Sequence, residues 1–383
     1  MNNKNDLIRF DADALLARLV RDRRALHRIP EAGHQEKKTR EYILSALRQW
    51  PCEIREIGST GISAFFPGSD SENAGTVALR ADMDGLPIGE NNKVDYCSVH
   101  PGFMHACGHD GHMAMLLSLA SLLGEGAVSL SHGVLLIFQP AEESPGGARE
   151  MIESGFLTDY VVRRIFSMHI SPSSRPHTIY SRPGAFMARS SELTVTIHGK
   201  SAHLASFSKG IDALHLGCRF VEELYRREEG LLPPEEFRLM RFGKMESGSV
   251  RNAVSDRTLL QGTLRCFSEE TFLVLLEELK RLAGAYEKEH GLRIEIGYSE
   301  GYPAALNDPG LFSLAAAALA DFDFSLLPKP AVTSDDFSFF LQEVPGVYFF
   351  LGTGEKTPLH SDVFDFPEEI LLTGVRAYLR LLM

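Results

Sequence analysis

A chain of 383 residues is too long for one ordinary hydrophobic core, so two domains are expected. Its 44% hydrophobic and 23% charged residues are those of a globular protein, and a net charge of −12 argues against a nucleic-acid partner. No run approaches the ~20 apolar residues that span a bilayer, the opening M-N-N-K-N-D-L-I-R-F lacks a signal-peptide core, and five scattered cysteines fit reduced thiols; a cytoplasmic protein with no membrane partner is expected.

Leu15, Leu19 and Leu26 stand at helical spacing within 11–28, and Pro30 and Gly33 break that helix. A second helix is predicted over about 35–50. Strands are predicted at 62–66 and 76–81, joined by the turn-forming loop P-G-S-D-S-E-N-A-G. The second strand runs into R-A-D-M-D-G-L-P, which leaves Asp82 and Asp84 at its tip, where α/β folds place chemistry; ordinary turn carboxylates are the alternative.

Next comes M-H-A-C-G-H-D-G-H (104–112), followed by an apolar run that predicts a helix over 112–123. Cys107 and His109, two apart in extended or turn-like backbone, project to one side, and thiolate and neutral imidazole are ligands for zinc-like metals. The continuous apolar strand G-V-L-L-I-F-Q-P then ends in Glu142-Glu143, ahead of a loop and a helix near 148–154. Adjacent acids often only offset a helix dipole. Here they follow a buried strand, and because neighbouring side chains diverge, one can hold a metal while the other moves a proton. His169 ends a short strand, and His360 lies in P-L-H-S-D after the last strand.

From Ser190 the pattern changes. Leu193, Val195 and Ile197 alternate with polar residues, and elements near 210–228, 236–244, 257–266, 269–288 and 292–298 complete a β-α-β-β-α-β order, the pattern of a ferredoxin-like domain. It reads as an insertion, because a helix at 310–320, a loop through D-F-S, a strand at 346–352 and a helix from Pro367 return to the first layer. The fold class is therefore α/β. A catalytic domain of mixed sheet and flanking helices spans 1–188 and 300–383, and an inserted α+β domain spans 189–299.

Taken together, M-H-A-C-G-H-D-G-H, F-Q-P-A-E-E with G-G-A, S-M-H, H-G-K-S-A-H, D-F-S and L-H-S-D-x-F-D resemble the M20 family of metallo-amidohydrolases. The branch is that of hippurate hydrolases, indole-acetyl-amino-acid hydrolases and N-acetyl-diaminopimelate deacetylases. The resemblance runs from about His27 to the C-terminal helix. It implies a zinc-peptidase-like catalytic domain holding two divalent ions per subunit (zinc, manganese, cobalt or nickel) on Cys107, His109, Glu143, His169 and His360, with Glu142 as general base. It also implies that the inserted domain is a lid and dimerisation domain. His203 would be supplied across a homodimer interface, and Asn252 and Arg265 would contact the carboxylate of a small N-acyl amino acid whose amide bond is cleaved. A dipeptidase or carboxypeptidase of the same family is the runner-up. A Cys107 thiol hydrolase and a metal-dependent binding protein are the readings from other classes.

Three departures bear on these expectations. The early H-x-D segment of many members reads Arg80-Ala81-Asp82, which implies that Cys107 takes over bridging. The segment after the lid strand reads S-A-H-L-A-S-F without the usual proline, and S-E-D-F reads Ser334-Asp335-Asp336-Phe337. His105 and His112 flank the ligands as packed or supporting groups, and Asp110 is expected to orient a ligand imidazole.

Overall fold

The computed structural model describes residues 10–172 and 174–383. They form two compact units. One comprises the described residues up to Phe186 with Leu306–Lys329 and Asp335–Met383; the other is Met187–Ala305 with Pro330–Ser334.

The first unit is built on an eight-stranded mixed sheet in the order Glu53–Ile57, Gly61–Phe66, Gly133–Gln139, Thr76–Asp82, Val162–Ser171, Gly346–Gly352, Ile179–Ser181 and Phe324–Leu326. The third to sixth of these are mutually parallel. Gly133–Gln139 and Thr76–Asp82 are buried along their whole length, as their unbroken apolar runs require. Helices Ala12–His27, His109–Gly124 and Ile370–Leu382 pack together beside the sheet. Asp11 caps the first by accepting from the Asp13 and Ala14 amides, and Leu15, Leu19 and Leu26 are buried. Every residue from His109 to Leu122 is buried, so that helix lies in the core rather than over it.

Several local expectations are corrected. The helix expected at 112 begins at His109, so this residue lies in the first turn and not in the extended lead-in. Gly108 makes the difference: its φ of 85° turns the chain sharply into the helix, and a Cβ there would meet Ile170 Cδ1 at 2.1 Å. The D-F-S segment is no loop but opens the helix Phe337–Glu343, with Asp335 Oδ1 accepting from the Phe337 amide at 2.8 Å. Turn-forming residues that read as a loop here belong to a helix start. The edge strand Glu53–Ile57 escapes the pattern because its sequence, EIREI, is largely polar and mostly outside the core.

The second unit is a four-stranded antiparallel sheet in the order Arg293–Tyr298, Arg189–His198, Arg257–Cys266, Arg238–Ser247, carrying helices Ala213–Leu231 and Glu269–His290. Leu193, Val195 and Ile197 join Phe220, Leu275 and Leu279 in its separate core, as the alternation predicts. Between the first strand and first helix the short 3-10 segment Leu204–Lys209 is an element the sequence does not announce.

Candidate metal centre

Four neighbouring parallel strands of the first unit end on one side of the sheet, which is why groups far apart in sequence converge. Asp82 ends Thr76–Asp82, Glu142 and Glu143 follow Gly133–Gln139, His169 lies near the end of Val162–Ser171, and His360 follows Gly346–Gly352. The start of the buried helix adds Cys107 and His109. One ligand atom from each of Cys107, Glu143 and His360 lies within 4.8 Å of the others, and the same holds for His109, Glu142 and Glu143. Glu143 belongs to both groups. Cys107 Sγ is 3.4 Å from His169 Nε2, and His360 Nε2 is 3.0 Å from Glu143 Oε1.

The ring orientations are set from behind. His109 Nδ1 donates to the Asp84 carbonyl at 2.9 Å and His169 Nδ1 to the Ile170 carbonyl at 2.7 Å, which leaves both Nε2 atoms directed into the cluster. His112 is committed elsewhere: its Nδ1 lies 2.6 Å from Asp82 Oδ1, and its Nε2 accepts from the Ile170 amide at 3.0 Å. It therefore supports the strand bearing His169 and has no lone pair to give.

The loop carrying the paired acids hangs from buried carboxylates. Asp84 accepts from the Glu142 amide through Oδ1 and from the Glu143 amide through Oδ2, each at 3.0 Å. Asp336 Oδ2 accepts from the Gly147 and Ala148 amides, also at 3.0 Å. Beneath them Arg80 spreads one guanidinium over Asp82 (2.7 Å), Gln139 (2.8 Å) and Asp336 (2.9 Å). Asp335 pairs with the Tyr348 hydroxyl and lies 3.4 Å from Arg80. The sequence marks Asp84 as a strand-tip candidate for chemistry and Asp335-Asp336 as a departure from S-E-D-F, but it does not announce that Asp84 and Asp336 hold loop amides or that Asp335 pairs with Tyr348.

The donor set fits divalent cations. His109 Nε2 is buried without a hydrogen-bond partner among the described residues, an orphaned polar atom aimed at the converging acids. Burial pushes the Cys107 thiol well up, and Glu143 and Glu142 push it further; Glu142 is likewise held well above the usual carboxylate range by burial, Asp335, Glu143 and Asp336. Burial opposes charge on His109, yet Asp82, Asp84 and Glu143 outweigh it and lift its pKa to about 10. The cluster thus holds more acidic groups than its own cations balance, which is the electrostatic profile of a cation site.

Other expected residues lie elsewhere. Asp110 does not orient a ligand imidazole; its Oδ2 meets Arg23 Nε and His27 Nδ1, both at 2.8 Å, and the Asp84 carbonyl takes the orienting role instead. His105 is buried with neither ring nitrogen hydrogen-bonded among the described residues, and burial depresses its pKa to about 3, so it packs as a neutral ring. His203, Asn252 and Arg265 belong to the second unit. His203 is exposed, and its Nδ1 accepts from the Ala205 amide at 3.1 Å, which puts the ring proton of the neutral form on Nε2. Asn252 is exposed and offers its carbonyl to the Leu204 amide, whereas Arg265 is half-buried and donates to the Val332 carbonyl at 2.7 Å.

Comparison with known proteins adds three findings. The sequence profile described as Peptidase family M20/M25/M40 matches residues 78–383. Among curated proteins, the chain is 35% identical to an N-acetyldiaminopimelate deacetylase of Brevibacillus brevis, over 92% of this chain and 94% of that one. It is 33% identical to the protein of the same name from Oceanobacillus iheyensis, over 96% and 99%. Among solved structures, it superposes with a TM-score of 0.85 and 28% identity on a Bacillus subtilis protein described as a dinuclear metal binding peptidase from the M20 family, covering 97% of this chain and 98% of that one.

Proposed function

The chain belongs to the M20/M25/M40 peptidase family, and from that premise we propose that it hydrolyses the amide bond of small N-acyl amino acids. The observation that carries this reading is the pair Glu142-Glu143, held by both oxygens of Asp84 so that the two carboxyls reach different partners. Cys107, His109, Glu143, His169 and His360 would hold two divalent ions, and softness and geometry leave zinc, manganese, cobalt and nickel as candidates. Such ions polarise an amide carbonyl and acidify a water when bound.

The chain's own residues do the rest. Glu142 removes the proton of the attacking water and returns it to the departing amine; a carboxyl whose pKa is lifted by burial and by neighbouring acids suits both tasks. A Cys107 nucleophile is disfavoured by the same electrostatics. Its thiol is pushed up rather than down, and burial lowers the pKa of its neighbour His169 to about 3, too low for a base.

The second unit, whose strand order 4-1-3-2 is that of a ferredoxin-like domain, serves in this proposal as lid and dimerisation domain. His203 of one subunit then completes the site of the other and stabilises the oxyanion, and Asn252 and Arg265 receive the substrate carboxylate through charge-assisted hydrogen bonds. No helix among the described residues is long and apolar enough to cross a membrane; a cytoplasmic homodimer is the proposed working form. Mixing His203→Ala with Glu142→Gln, each nearly inactive alone, should restore about a quarter of parent activity, because mixed dimers hold one intact site. Mixtures no more active than their components overturn the shared site.

The substrate class is tested by amine release from N-acetyl, N-benzoyl and N-succinyl amino acids, N-acetyldiaminopimelate included because it is named in the relatives. The expected result is cleavage that stops with chelator and returns on adding one of the four metals. Dipeptide cleavage without N-acyl amino acid cleavage would favour the dipeptidase or carboxypeptidase reading instead.

A further inference from the structure

We propose that Glu36 is a positioning residue for the paired acids, although it lies more than a hundred residues before them and outside the cluster. This inference rests on the proposed roles of Glu142 and Glu143. Glu36 is fully buried at the start of the helix Lys37–Leu47. Its Oε2 accepts from the Thr60 hydroxyl at 2.6 Å and its Oε1 from the Ala141 amide at 2.9 Å.

Ala141 immediately precedes Glu142, and its φ of 55° places a residue with a side chain in the left-handed region, where its Cβ crowds the following carbonyl oxygen. Such a conformation persists only where its surroundings over-determine it. Glu36 and Asp84 supply that constraint together. Three successive amides, of Ala141, Glu142 and Glu143, are each taken by a buried carboxylate oxygen, and Glu36 holds the first and most strained. Gly33 closes the back of the loop: a Cβ there would lie 2.5 Å from the Ser144 carbonyl oxygen and 2.8 Å from the Ala141 side chain. The segment Gly33–Glu36 is thus a template against which the turn entering Glu142 is moulded. Without the Glu36 acceptor, Ala141 gains by relaxing to a right-handed or extended conformation, and the two following side chains swing with it.

The test compares Glu36→Ala with Glu36→Gln. Glutamine keeps an oxygen for the Ala141 amide, and its NH2 can donate to Thr60, whose hydroxyl accepts as well as donates. Glu36→Gln should therefore keep kcat within ~3-fold of the parent. Glu36→Ala should lose ~100-fold in kcat with KM little changed, the scale of an ångström-sized misplacement of a catalytic group. Hydrogen exchange of a peptide covering 140–148 should speed up in Glu36→Ala and not in Glu36→Gln. Parent-like kcat or exchange in Glu36→Ala overturns the proposal, as does a Glu36→Gln variant as impaired as the alanine one. Should Glu36→Ala fail to fold, Thr60→Val, which keeps the volume and removes one anchor, should still loosen exchange of the same peptide, and unchanged exchange there overturns it. If the parent cleaves no amide, the proposed function fails separately, while exchange and zinc affinity of these variants still decide the positioning role.

Discussion

Glu142→Gln is expected to lower kcat by about 1,000-fold, the usual contribution of a general acid–base group, while metal content and KM stay close to the parent's. The reason is a division of roles between neighbours. Glu143 lies in both groups of converging ligand atoms, and its Oε1 faces His360, so it is the residue whose loss should empty the site. Glu142 faces Asp335 and Asp336 on its other side, and this buried company raises its affinity for a proton, so the neutral acid formed once it has taken one is favoured. Glutamine has the shape of that neutral acid, so the fold should tolerate it, with melting temperature within a few degrees of the parent's. What glutamine cannot do is accept a proton from water. Single-turnover kinetics with metal analysis on the same sample separates the possibilities. Turnover within ~5-fold of the parent would sink the proton-transfer role, and loss of metal would show that Glu142 holds the ions instead.

Arg80→Met should lower stability by about 3–5 kcal/mol, which for a unit of this size is a fall in melting temperature on the order of 10 °C. The guanidinium is completely buried and touches Asp82, Gln139 and Asp336 directly, with Asp335 just beyond. Methionine fills much of the volume but strands three buried carboxylates beside Glu142. The effect has a pH signature. Burial and Asp335 lift Asp336 to about 7, with Arg80 as the main force holding it down. A carboxyl whose folded pKa lies above its unfolded value binds more protons when folded, so its contribution to stability falls as pH rises between the two. Removing Arg80 moves the folded value higher still and extends that window upward. The deficit of Arg80→Met should therefore be smallest near pH 5 and grow towards pH 8, measured by thermal melts across that range. A deficit independent of pH would mean that packing rather than charge accounts for the loss.

The two predictions draw on different kinds of legibility. Cys107, His109, Glu142 and Glu143 could be singled out in the chain because their residue types are chemically expensive at the ends of apolar runs. His169 and His360 depended on resemblance, as a lone histidine after a strand carries no pattern of its own. Arg80 stood out in the sequence only as a departure from the H-x-D segment; it is the counter-ion beneath the site. Asp110 misled because it adjoins His109, yet adjacent residues on a helix point about 100° apart, and its carboxylate faces Arg23 and His27.

Local pattern was enough for the elements that bury one continuous apolar face: the strand Gly133–Gln139, the alternating strand Arg189–His198 and the helix Glu269–His290 all follow from periodicity, and so does the order that separates two cores. It was not enough for Glu36, Asp84 or Asp336. Their work is to accept backbone amides of a loop far along the chain, and a backbone amide has no residue-specific signature. Which carboxylate meets which amide depends on strand order and register, set by the packing of the whole sheet. The chemistry of the centre is thus written in side-chain types, whereas the constraint on Ala141 and the orientation of His109 exist only once distant segments are brought into contact.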